Sequence, residues 1–125
     1  MNLEDIKVLA YNKKQIFTAE NELRLFHQGR TLLCELGNEL SYIIENLQKI
    51  SDEARQSLLR CVSRLEMAYA FAEAEERDFT AEDWEEINEN IAVIQAFFAA
   101  YKKQYQLDDF DEEYEEYKFL YPDDK

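Results

Sequence analysis

A run of apolar side chains spaced alternately three and four residues apart dominates the C-terminal half of the chain. Its members are Trp84, Ile87, Ile91, Ile94, Phe98, Tyr101 and Tyr105. This spacing places all of them on one face of an α-helix. Upstream, Thr80 and Asp83 have the spacing of a capping box, and Phe79 can pack on Trp84 as a hydrophobic staple. The pattern predicts a helix over residues 81–106 that begins at Thr80.

Two further stripes of apolar residues predict helices upstream of this one. Only two Gly and one Pro occur among the 125 residues, which leaves few residues for the tight turns of a β-sheet. The stripes favour helices over about residues 22–49 and 52–77, the second capped by Ser51. Gly29 and Gly37 interrupt the first stripe, so residues 19–50 form either one helix or two.

Shorter stripes at the two ends predict flanking helices. A leading helix is expected over residues 3–16, and an acidic closing helix over about residues 109–121, ended by Pro122. The long helices have matched lengths and very short connections, which is typical of antiparallel neighbours. We therefore predict a single all-α domain over residues 1–125: an antiparallel up-down bundle of three long helices with short N- and C-terminal flanking helices.

The sequence also indicates the compartment. The first five residues are acidic rather than basic and are not followed by an apolar run, so they do not resemble a secretory signal. The most apolar window, residues 91–101, is 11 residues long and cannot span a bilayer, which needs about 20. Cys34 and Cys61 lack the CxxC spacing of zinc ribbons and are expected to remain reduced. We expect a soluble, cytoplasmic protein.

No residue pattern points to catalysis or to a cofactor. His27 is the only histidine, and Arg24 rather than Glu lies three residues before it, so the Glu-x-x-His pairs of a di-iron bundle are missing. Asp109, Asp111 and Glu113 alternate like the start of a calcium loop, but the glycine and the distal glutamate of that loop are missing. The sequence predicts no catalytic site, no cofactor and no metal site, and hence a protein that is not an enzyme.

Negative charge is concentrated in the last two-fifths of the chain. Residues 1–72 carry 10 acidic and 9 basic residues, a net charge of −1. Residues 73–125 carry 18 acidic and 5 basic residues, a net charge of −13, within a total of −14. The chain thus combines a nearly neutral helical part with a strongly acidic one.

Two clusters supply the candidate partner-binding residues. On the helix from Thr80, away from its apolar face, these are Glu82, Glu85, Glu86 and Glu89. In the closing segment they are Asp108, Asp109, Asp111, Glu112, Glu113, Tyr114, Glu115, Glu116 and Tyr117. These acids form either a solvated face or a field directed at a basic partner. The tyrosines either contact that partner or attach the closing helix to the bundle.

The charge pattern favours a non-enzymatic acidic binding protein that blocks or sequesters a basic surface of another protein, of which a nucleic-acid-binding surface is one candidate. Phage or mobile-element inhibitors that mimic DNA are of this general kind; direct binding of nucleic acid or membrane is not expected. An immunity protein against a toxic nuclease is an alternative. A structural subunit is another, since Val93 and Phe97 form a second apolar strip that either a flanking helix covers or a homodimer buries.

Overall fold

The computed structural model describes residues 3–105, and within them the chain is all-helical. The four helices are α1 (Leu3–His27), α2 (Leu33–Asn46), α3 (Asp52–Ala74) and α4 (Ala81–Gln104). Each packs against the next along the chain, and α1 also packs against α4, whereas the diagonal pairs do not contact each other. This is the contact pattern of an up-down four-helix bundle. The predicted all-α bundle is confirmed; the predicted closing helix lies outside the described residues.

The predicted division of the N-terminal half into a short helix and a long one is wrong. α1 continues through residues 16–22 without a break, and α2 has only 14 residues. The buried face of α1 consists of Asn12, Ile16, Ala19, Leu23 and Phe26, again at alternating spacings of four and three. The sequence pattern concealed this heptad because one member is polar and another is small.

The break between α1 and α2 occurs at Gly29. Residues 19–50, which the sequence allowed to form either one helix or two, thus belong to two helices. Gly29 has a left-handed conformation with φ of +73°, which a residue with a Cβ rarely adopts. Its N–H donates to the Phe26 carbonyl at 3.0 Å, and the Arg30 N–H donates to the Leu25 carbonyl at 2.9 Å. These two bonds form a Schellman motif, which satisfies the last carbonyls of α1 and turns the chain.

The predicted start of α4 is confirmed. The Asp83 N–H donates to Thr80 Oγ1 at 3.1 Å, and the Thr80 N–H donates to Asp83 Oδ2 at 2.9 Å. The rings of Phe79 and Trp84 meet edge to face with centroids 5.1 Å apart, as a hydrophobic staple requires. The predicted apolar face then enters the core from Ile87 to Tyr101, and only its terminal members Trp84 and Tyr105 are partly exposed.

Candidate interaction surface

The acidic residues of the described chain concentrate at one end of the bundle. Residues 73–89 cover the end of α3, its connection to α4 and the first turns of α4; we call them the acidic end. Their nine acids are Glu73, Glu75, Glu76, Asp78, Glu82, Asp83, Glu85, Glu86 and Glu89, against Arg77 as the only basic residue, a net charge of −8. All nine except Asp83 are exposed. The acids at the end of α3 and in the connection, Glu73, Glu75, Glu76 and Asp78, were not among the predicted partner-binding residues, which lie on α4 and in the closing segment.

Asp83 has a structural role within this surface. Arg77 Nη1 lies 2.5 Å from Asp83 Oδ2, and its Nε lies 2.5 Å from Glu75 Oε2. Only 18% of the Asp83 side chain is exposed. Hydrogen bonding from the Thr80 backbone N–H, together with the Arg77 guanidinium, lowers the pKa of Asp83 below its ordinary value. Asp83 is therefore held ionised as the cap of α4.

The four predicted partner-binding residues of α4 are all exposed, at the positions of Glu82, Glu85, Glu86 and Glu89. Within the described chain, none of these carboxylates forms an ion pair or hydrogen bond with another side chain. They do not form one uniform face, because Glu82 and Glu86 line a groove against α3. Their charges remain available to a partner.

The groove between α3 and α4 has a volume of about 310 Å³. Its lining residues are Arg64, Met67, Ala68 and Phe71 of α3 and Glu82, Asp83 and Glu86 of α4. Met67 is 53% exposed and Phe71 is 57% exposed, so two large apolar side chains one helical turn apart lie in contact with solvent. The sequence offers one signal for this site: both residues, four apart, lie off the predicted apolar stripe of α3, which consists of Leu58, Val62, Leu65, Tyr69 and Ala72.

The other predicted residues fall into two groups. Residues 108–117, which include the predicted acids and tyrosines of the closing segment, lie outside the described residues. Val93 is 52% exposed, but Phe97 is half-buried, packs against the core and contacts the ring of Tyr101 with centroids 6.2 Å apart. The predicted Val93 and Phe97 strip is thus divided between surface and core.

The described residues contain no cluster of three or more His, Cys, Asp or Glu side chains placed to hold a metal ion. His27 is exposed at the end of α1. Both cysteines are free; Cys34 is only half-buried, and burial raises the pKa of the Cys61 thiol. Hydrogen bonding to Glu73, and to a smaller extent to Cys34, raises the pKa of Tyr69 to about 12.

None of the helices from residue 3 to residue 105 has the length and apolar character needed to cross a membrane.

Comparison of the chain with protein-family models, with curated proteins and with solved structures gave no match. The surface itself is therefore the basis for assigning a function.

Proposed function

We propose that this protein is a non-enzymatic acidic binding protein that occupies a basic surface of a partner protein and so blocks or sequesters it. The observation that carries the proposal is the acidic end, where a net charge of −8 falls within 17 consecutive residues. Such a concentration destabilises the folded chain by self-repulsion, and solubility alone requires far less charge. A basic partner would relieve this repulsion on binding.

The state of the individual acids supports the same function. The carboxylates of Glu82, Glu85, Glu86 and Glu89 make no ion pair within the described chain, so a partner does not have to break one. Clustered charge of one sign accelerates association with a complementary surface and disfavours partners of the same sign. In the sequence, residues 108–116 carry seven further acids beyond those that give the acidic end its net charge of −8.

Two forms of this function differ in what the partner recognises. Imitation of a DNA duplex needs two acidic rows, because acids four apart on a helix advance about 6 Å whereas phosphates advance about 3.4 Å per strand. The second row expected from the sequence is the closing segment, which lies outside the described residues. Within the described chain, the α3 side of the groove presents Arg64, Met67 and Phe71. Recognition of a basic protein surface by mixed acidic and apolar contacts is the better supported form. An immunity protein against a toxic nuclease would use the same contacts.

Assembly of a structural subunit through Val93 and Phe97 has less support. Because Phe97 packs against the core, it leaves Val93 as the exposed member of that strip. A stable homodimer buries a much larger apolar area than one valine supplies.

The test is affinity capture from the native host at low and moderate salt, followed by mass spectrometry. One variant replaces Glu82, Glu85, Glu86 and Glu89 with Gln, and a control of equal charge change replaces Glu4, Glu35, Glu45 and Glu53, which are also exposed. We expect the wild-type and control chains to retain the same basic protein and the first variant to lose it. Equal retention by both variants would contradict the proposal.

A further inference from the structure

The floor of the groove between α3 and α4 is apolar and open to solvent. Met67 and Phe71 stand one turn apart on α3, with the buried Ala68 between them. An exposed aromatic ring beside a methionine is a typical anchor point at protein interfaces, since the ring supplies area and the methionine adapts its shape. A partner side chain placed here would bury apolar surface that the free protein leaves in water.

The α4 rim of the groove is anionic and has a defined spacing. Glu82 and Glu86 are one helical turn apart, a rise of about 6 Å. Asp83 is committed to Arg77 and to the cap of α4, so it leaves these two carboxylates as the free acids of the rim. Lys or Arg side chains at positions i and i+4 of a helix, or i and i+2 of a strand, have nearly the same spacing.

The size of the groove limits what it can hold. A volume of about 310 Å³ lies at the lower end of the range for small-molecule pockets and suits one or two side chains. Arg64 places a positive charge on the α3 side, opposite the two glutamates. The groove is therefore polarised across its width, which would orient a bound segment.

We propose that this groove binds a cationic segment of the partner protein, with one apolar side chain of that segment packed on Met67 and Phe71 and its Lys or Arg side chains paired with Glu82 and Glu86. The assignment rests on the proposed function and specifies its partner chemistry. Anionic lipid headgroups are disfavoured by the same two glutamates.

The experiment measures fluorescence anisotropy of a labelled, Ala-based helical peptide of about 15 residues, with Lys at i and i+4 and Leu at i+3. A second peptide has Ser in place of Leu, and a third has Glu in place of Lys. The full chain is compared with the variant Met67→Gln/Phe71→Ser and with a control, Leu32→Ser/Tyr42→Ser, which removes two exposed apolar side chains elsewhere. Because all four side chains are largely exposed, thermal melts should show that both variants fold.

We expect the Lys/Leu peptide to bind the wild-type and control chains, and to bind Met67→Gln/Phe71→Ser about tenfold more weakly. The Ser peptide should lose a similar factor, and the Glu peptide should not bind. Equal binding of the Lys/Leu and Lys/Ser peptides, or no effect of Met67→Gln/Phe71→Ser, would overturn the groove assignment while leaving the acidic-partner function standing. No binding of the Lys/Leu peptide, or a concentration-dependent dimer that this variant abolishes, would also overturn the assignment. Failure of the proposed function itself is read separately, from equal capture by the two Glu→Gln variants.

Discussion

Asn12 of α1 and Tyr101 of α4 are joined by a hydrogen bond inside the core, with Asn12 Nδ2 donating to Tyr101 Oη at 2.7 Å. Asn12 is fully buried and also binds the chain that follows α2. Its Oδ1 accepts from the Gln48 N–H at 2.9 Å, and its Nδ2 donates to the Gln48 carbonyl. One amide side chain thus links three parts of the bundle and fixes their relative position.

Replacing Asn12 with Ala should lower the free energy of unfolding by about 2 kcal/mol, because the Gln48 backbone and the buried Tyr101 hydroxyl lose their partner. The control is Asn90→Ala. Asn90 is also buried, but its Nδ2 donates only to the Glu86 carbonyl one turn earlier in its own helix. That change should cost about 1 kcal/mol or less. Urea unfolding measures the free energy of unfolding of both variants. Equal losses of this free energy would refute the role of Asn12 in linking three parts of the bundle.

After Asn12, Arg55 should be the polar residue whose side chain contributes most to the free energy of unfolding. Its guanidinium donates to the carbonyls of Ile44, Glu45 and Leu47 at 2.6, 2.9 and 2.8 Å, which satisfies the C-terminal end of α2. Arg55→Gln should lower the free energy of unfolding by about 1 to 3 kcal/mol. Arg60→Gln serves as the control, because Arg60 Nη2 donates only to Ser57 Oγ. A midpoint of denaturation as high for Arg55→Gln as for Arg60→Gln would contradict this role.

The end of α3 offers a stabilising substitution. Glu76 has φ of +51° at the position that Gly29 occupies after α1, and the Arg77 N–H donates to the Ala72 carbonyl as in a Schellman motif. Glu76→Gly removes the strain of a side chain in the left-handed region and should raise the free energy of unfolding by about 0.5 to 1 kcal/mol. Glu76→Ala removes the same charge but keeps the strain, so it should change stability little. A matching increase in Glu76→Ala would assign the gain to charge instead.

The extent to which the sequence determined the fold differs between its two halves. α4 could be predicted to the residue at its start because the cap, the staple and a heptad of large apolar residues all agree. The full length of α1 could not be predicted, because its buried face includes Asn12 and Ala19. The place of these two residues in the core depends on partners distant in the sequence. The role of Arg55 could not be predicted for the same reason, because its contacts form only when α2 and α3 lie side by side.

The candidate site, like the fold, could be predicted only in part from the sequence. The acids of α4 were predictable, because charge and helical spacing are properties of the sequence. The groove was not, because it needs the off-stripe pair Met67 and Phe71 to face Glu82 and Glu86 across two packed helices. A pair of apolar residues four apart on an otherwise polar helix face is the signal to look for in chains of this kind.

The pH dependence of stability should report the cap of α4. Since the folded state lowers the pKa of Asp83 below its ordinary value of 3.8, ionised Asp83 stabilises the fold above that pH. This contribution is lost as the pH falls through the lower folded pKa, where both states become protonated. Asp83→Asn should therefore melt at a lower temperature than wild type near pH 7, and the difference should shrink towards zero in strong acid. Glu85→Gln, whose carboxylate is exposed and makes no ion pair in the described chain, should show no such convergence. A difference between Asp83→Asn and wild type that stays constant from pH 7 into strong acid would show that the cap does not depend on the Asp83 charge.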